Sequence, residues 1–263
     1  MRKTYDIIYS IGRDCSCASY LSNNSLRITS GPFDWLTNVN EFENRVNIIL
    51  NDFDRFLEIS DLKIISKNPH IINDEKCDYY ENVYNGFYYY HDFLAGVPLE
   101  QSFDKVKEKY ERRIKRFINN IQTQKHVLLV WFSHIPTTNN DEKVVLLCEK
   151  LCKKFNKSID FLIIEHDETK KQNEIKKINL ADNITKYNLY TRSWDSTGAL
   201  TTMGREDICS MIFKKYSLKK SLKERLRNIL KNIFSIYNSQ TKQHKIICIL
   251  GIKLKVKRTC NER

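Results

Sequence analysis

Glycine and proline are scarce in this chain, with 7 Gly and 4 Pro among 263 residues of which 41% are hydrophobic. That scarcity excludes collagen-like and Pro/Gly-rich disordered architectures and predicts a chain that folds. Paired CxxC spacings are missing too: the eight cysteines stand at 15, 17, 77, 148, 152, 209, 248 and 260. A zinc ribbon is thereby excluded, and the chain is too long to need a disulfide framework. Cys148 and Cys152, four apart on an apolar helix face, read as core residues rather than a metal pair. No apolar run approaches the roughly 20 residues of a membrane helix. After Met1-Arg2-Lys3 comes a short strand-like run, not the long apolar core of a signal peptide. No Walker-type or dinucleotide glycine pattern occurs, since Ile11-Gly12-Arg13 is too poor in glycine to cradle a pyrophosphate. The expectation is a cytoplasmic protein with reduced thiols and with no metal or cofactor.

Positive charge is also nearly absent as an excess, except at one end. The net charge is +12, yet residues 214–263 alone carry 15 Lys and Arg against 2 acids, and residues 1–213 carry 29 basic and 30 acidic groups. A neutral body with a basic tail fits an enzyme with an electrostatic anchor better than a uniformly basic nucleic-acid binder. Two regions follow: an α/β catalytic-type domain over 1–213 and a basic amphipathic extension over 214–263.

What is present is organised around Asp6 to Trp35. The β-branched run Ile7-Ile8-Tyr9 breaks at Gly12, passes Arg13-Asp14-Cys15 and continues with helical spacing, the pattern of strand, tight turn and helix N-terminus. A cysteine there faces the unsatisfied N–H groups of the helix and the Arg13 charge, both of which favour thiolate. Cys15 is the candidate nucleophile, with Cys17 a packing residue further into the helix.

Gly12-Arg13-Asp14-Cys15, then Gly31-Pro32-Phe33-Asp34-Trp35, then His91-Asp92-Phe93 resemble a bacterial family of papain-like cysteine peptidases, a domain of unknown function. The resemblance covers roughly the first 200 residues. It implies Cys15 as nucleophile and His91 as base, with Asp92 beside it, and it implies a papain-like α+β fold.

The hydropathy pattern predicts a different architecture. Residues 40–57 have the apolar period of an amphipathic helix, and Ser102 can cap another running to about Gln122. His126 to Phe132 and Ile159 to Ile164 are continuous apolar runs typical of strands buried on both faces of a parallel sheet. Helices follow over about 141–155 and 205–216, and a further strand over about 185–190. Between 60 and 100 the aromatic-rich, irregular pattern predicts short strands or a packed loop, and Lys171 to Lys177 is polar and unpatterned. The alternation makes the fold class α/β, an open, mostly parallel sheet flanked by helices.

In such a sheet the ligand crevice lies beyond the carboxyl ends of the strands. That edge collects Arg13, Asp14 and Cys15, then Ser133 and His134, then Glu165, His166 and Asp167, then Arg192, Trp194 and Asp195. A thiol, imidazoles, carboxylates and cations from four distant segments would meet there, as nucleophilic catalysis requires. The resemblance favours His91 as base and the strand ends favour His134, with His166 third. Asp34 is a turn-forming or an orienting carboxylate, and Trp35 is core or substrate platform. Backbone N–H groups around Asp14 to Ser16 would stabilise an oxyanion.

The expected activity is cysteine-dependent hydrolysis or acyl transfer on a small-molecule, peptide or glycan substrate. A transferase holding a sugar nucleotide through Arg13, Glu165, Asp167 and Arg192, or a non-catalytic adaptor, are the alternatives. In the tail, 217–237 reads as an amphipathic helix and 245–258 as an amphipathic strand with alternating lysines, a composition suited to an anionic bilayer at the inner membrane face, to RNA or to a partner protein. The tail's Ile-Leu-Gly-Ile-Lys-Leu-Lys pattern resembles tails of bacterial enzymes that build capsule or lipooligosaccharide.

Overall fold

The Ile7-Ile8-Tyr9 run is extended and buried throughout, as expected of an apolar β-branched segment with no polar alternation. In the computed structural model, residues 2–38, 41–72, 75–194, 196–197, 201, 204–219, 234–238, 244–249 and 252–257 are described. The chain divides into two compact units, residues 1–218 and 219–263.

In the first unit, β1 (Lys3–Tyr5) and β2 (Ile7–Ser10) lead through Gly12 into α1 (Cys15–Asn23). Then follow β3 (Leu36–Asn38) and α2 (Phe42–Leu50). The helix expected over 40–57 stops at Leu50, because Asp52, Phe53 and Arg55 take left-handed φ values of 55°, 61° and 46°. That turn is unfavourable for L side chains and is held by the burial of Phe53 and Phe56 in the core. The irregular aromatic region resolves into strands, β4 (Leu62–Ile72), β5 (Glu75–Asn82) and β6 (Phe87–Leu94). Helix α3 (Leu99–Thr123) has Pro98 at its N-cap, so Ser102 lies in the first turn, where its hydroxyl donates back to Leu99 O at 3.1 Å.

Strand β7 (Val127–Ser133) is buried at every position. Helix α4 (Asp141–Phe155) begins where Asn140 Oδ1 accepts from Glu142 N and Lys143 N, and ends at Asn156 in the left-handed region. Next come β8 (Asp160–His166), β9 (Ile175–Ala181), β10 (Ile184–Leu189), α5 (Glu206–Phe213) and β11 (Tyr216–Leu218). The polar 171–177 stretch runs into β9, an edge strand whose exposed Lys176 and Lys177 reach solvent.

Among the described residues, the central sheet has the order β2-β7-β8-β10-β9, parallel except for β9. This is the expected α/β architecture. Alternation along β7 sends Leu129 and Trp131 to one core, with α2, α3 and α4, and Leu128, Val130 and Phe132 to the other, with α1 and α5. Each such side chain contributes about 1.5–3 kcal/mol by leaving water. An antiparallel sheet in the order β3-β6-β5-β4 is inserted between α1 and α3, and β1 pairs in parallel with β11.

The second unit contains an antiparallel meander of β12 (Phe234–Asn238), β13 (His244–Ile249) and β14 (Ile252–Lys257). Of the helix expected over 217–237, residues 220–233 lie outside the described residues, and its two ends are strands, β11 and β12. Among the described residues no helix is long and apolar enough to cross a membrane.

Candidate active site

The turn after β2 is made by close packing. A Cβ on Gly12 would lie 2.3 Å from Cys17 Cβ, so only glycine lets the turn pass over the first turn of α1. Arg13 N donates to Phe132 O at 3.0 Å, which ties the turn to β7. Arg13 O accepts from Asn38 N at 3.0 Å and from Arg45 Nη2 at 2.9 Å. Arg45 is fully buried, its guanidinium also donating to Leu36 O at 2.8 Å and lying 4.5 Å from the Phe87 ring centroid. Burial pulls its pKa down to about 9, so it is a cation held at some cost beneath the turn.

Asp14 caps α1: its Oδ1 accepts from Ser16 N at 2.9 Å and from the Ser16 hydroxyl. Its other oxygen lies 3.2 Å from His134 Nδ1, a close polar contact that lacks hydrogen-bond alignment. Burial would raise the Asp14 carboxyl, but the His134 ring and the Ser16 donors outweigh it and hold the pKa below the usual value. Cys15 is the first residue of α1 and follows Asp14 directly in the chain. The sequence argument for a lowered thiol pKa fails here. Burial, and then the Asp14 charge, push the Cys15 thiol up to about 11, because the carboxylate that satisfies the helix N-terminus also repels a thiolate. Ser16 N–H, one of the donors expected to form an oxyanion hole, is committed to the cap.

His134 leads to a second imidazole. His166, at the end of β8, accepts at Nδ1 from Thr191 N at 3.0 Å, with Thr191 Oγ1 at 3.1 Å. A backbone N–H can only donate, so Nδ1 is unprotonated and the neutral ring carries its proton on Nε2. Burial and then the Arg192 charge hold the His166 pKa below its ordinary value. Arg192 Nη1 lies 2.6 Å from Glu168 Oε1, which is itself 4.0 Å from His166 Nε2. Gly204, at φ +65°, packs against this group: a Cβ there would come within 2.4 Å of Thr191 O and 3.2 Å of His134 Cβ.

The strand-end expectation thus brings Asp14, Cys15, His134, His166 and Arg192 to one edge, but several companions serve the fold. Asp92 is inside the protein, bonded to Lys109 and accepting from Tyr110 O–H at 2.8 Å. Asp92 thus clasps β6 to α3, close to a register slip between β5 and β6 at Asp78/Tyr80. His91 sits on β6 with its ring 5.7 Å from Trp35. Asp34 is the turn-forming alternative: 1% exposed, it accepts from Gly31 N at 3.0 Å and from Arg27 Nε at 2.8 Å. Trp35 is half-buried beneath the Arg27 guanidinium. Glu165 is also internal, 2.7 Å from Lys186 Nζ and accepting from Thr137 Oγ1 at 2.9 Å. Asp167 closes its own turn, accepting from Thr169 N at 2.9 Å and Thr169 Oγ1 at 2.6 Å. Asp34, Glu165 and Asp167 thus each hold structural partners within the fold. Trp194 is exposed, and Asp195 lies outside the described residues.

Arg45, Thr191, Glu168 and Gly204 were not anticipated as parts of the site. Arg45 had a signal, since it stands three residues after Phe42 and four before Ile49, a charge on the apolar face of a helix. Among the described residues no cluster of three or more His, Cys, Asp or Glu is arranged to hold a metal ion.

A family model described as "Putative papain-like cysteine peptidase (DUF1796)" matches residues 6–169. An uncharacterized protein of Acanthamoeba polyphaga mimivirus is 28% identical over 178 residues, which cover 63% of this chain and 79% of the viral protein. No solved structure matches.

Proposed function

The chain belongs to the family described as "Putative papain-like cysteine peptidase (DUF1796)", whose model spans more than half of it, and on that premise we propose a cysteine hydrolase in which Cys15 is the nucleophile, His134 the general base and Asp14 the orienting carboxylate. The observation that carries the proposal is the 3.2 Å contact of His134 Nδ1 with Oδ2 of Asp14, the N-cap residue that directly precedes Cys15. Asp14 faces Nδ1, which leaves Nε2 as the basic nitrogen. The resemblance in sequence favours His91 for this role, but what supports His134 is its carboxylate neighbour on the cysteine turn.

A thiol with a pKa of about 11 is protonated at neutral pH. The proposed mechanism is therefore general-base catalysis, not a resting thiolate–imidazolium pair. His134 Nε2 takes the Sγ proton as sulfur bonds to the substrate carbonyl carbon. The tetrahedral oxyanion faces the Cys15 N–H, and collapse delivers the proton from His134 to the departing group. Water, or another acceptor in acyl transfer, then releases the acyl group from sulfur. Alignment of the Asp14–His134 contact is left to substrate binding, as is common in unliganded sites.

The test is turnover of a panel of fluorogenic peptide and ester substrates. Cys15→Ser is expected to abolish it with an unchanged circular dichroism spectrum, and His134→Ala to lower it by about 10²-fold or more. Retained turnover in Cys15→Ser overturns the proposal, and a comparable loss in His91→Ala with none in His134→Ala reassigns the base. The basic 214–263 segment, with its 15 Lys and Arg, supports a second element: attachment to an anionic bilayer, where surface-glycan intermediates would be one acyl acceptor. Flotation with vesicles containing anionic lipid, beside neutral vesicles and an RNA shift assay, checks it.

A further inference from the structure

The catalytic proposal leaves two buried donors unused. His166 Nε2, proton-bearing because Nδ1 accepts from Thr191 N, is buried and has no hydrogen-bond partner. His166 as a residue is 6% exposed. Arg192 Nε is likewise buried and unpartnered. Leaving such donors unsatisfied is costly, a cost that a ligand supplying acceptors would remove. One acceptor already lies between the Arg192 guanidinium and the His166 ring. The Glu168 carboxylate, its side chain 57% exposed, rests 2.6 Å from Arg192 Nη1 but 4.0 Å from His166 Nε2, too far to bond the imidazole. Asp167, the next carboxylate, is engaged by Thr169 and lies 3.9 Å from Lys170 Nζ.

We infer that Arg192 and His166 form a carboxylate-binding subsite beside the Cys15–His134 centre, with Glu168 as an intramolecular stand-in that a substrate carboxylate displaces. The inference rests on the catalytic proposal for its place beside the reacting groups, and it gives the substrate a class: an acyl compound or peptide with a free carboxylate near the bond cleaved. Arg192 is positioned to meet one carboxylate oxygen with Nη1, where Glu168 now rests, and His166 Nε2–H the other, a charge-assisted recognition that a guanidinium suits. Thr191 fixes the tautomer that makes His166 a donor, and Gly204 packs on Thr191 and His134 at once, so the two halves of the site share one support.

The experiment uses the full chain with ¹⁵N-labelled histidine, the His166 signals being identified by their loss in His166→Gln. N-acetylglycine supplies a chain-terminal carboxylate, N-acetylaspartic α-amide a side-chain carboxylate, and N-acetylglycinamide neither. The expected result is a saturable shift of His166 Nε2 with one or both acids and none with the amide; the stronger acid identifies the source of the carboxylate. Arg192→Gln should weaken binding about tenfold or more, the loss of a charge-assisted bond. Glu168→Ala, at a mostly exposed position, should strengthen it. No shift, an equal response to the amide, or unchanged affinity in Glu168→Ala overturns the inference. Failure of the catalytic proposal reads out separately, as turnover retained in Cys15→Ser, a variant expected to bind the acid probe unchanged.

Discussion

Asp14 and His134 meet at 3.2 Å across the carboxyl ends of adjacent parallel strands, and that one carboxylate does two opposed things. It caps the helix that presents Cys15 and faces the imidazole that would activate it, while its charge helps hold the thiol protonated.

Alkylation of Cys15 should therefore follow a high pKa. The folded value is raised, so the thiolate fraction grows with pH and is complete only above about 11. Iodoacetamide labelling of the native protein, read by peptide mass spectrometry, is expected to accelerate by about tenfold per pH unit through the neutral and mildly alkaline range. A plateau already reached at neutral pH would contradict this.

Asp14→Asn separates the two effects. Asparagine retains a capping oxygen, so α1 should survive. Removing the negative charge should lower the Cys15 pKa and speed alkylation at a given pH, while turnover falls because His134 loses its orienting carboxylate. Parallel changes in both rates would show that the carboxylate acts on one group only.

Gly12→Ala puts a methyl group 2.3 Å from Cys17 Cβ. The turn must move off α1, and the expected loss of stability is about 1–3 kcal/mol in urea unfolding. The double variant with Cys17→Gly, which removes the atoms in the way, should recover part of that loss.

Lys186→Met tests whether Glu165 belongs to the fold. Lys186 Nζ lies 2.7 Å from Glu165 and 2.6 Å from Asp141, and although burial opposes its charge, the two carboxylates hold its pKa above the ordinary value. Losing the cation strands a buried carboxylate, at a cost of about 3–5 kcal/mol. Unfolding should shift accordingly, with Cys15 alkylation in the folded protein unchanged.

Much of the architecture is written in local pattern. The β-branched Ile7-Ile8-Tyr9 run and the continuous apolar run of β7 specify strands buried on both faces, and their alternation with helices specifies the parallel sheet. A parallel sheet in turn brings its strand ends to one edge, so Cys15, His134 and His166 could be gathered from sequence without knowing a single contact. What chain-local pattern does not contain is the direction of a polar side chain. Asp92 and Glu165 look like Asp14 in sequence, yet Lys109 with Tyr110 engages the one and the buried Lys186 the other. The left-handed turn at Asp52 to Arg55 lies within a helical apolar period, yet it depends on distant core contacts that no local pattern reports. The same holds for the Cys15 thiol. Its place at a helix N-terminus is fixed by sequence, but its protonation is set by burial and by which carboxylate ends up alongside, and those are properties of the packed structure alone.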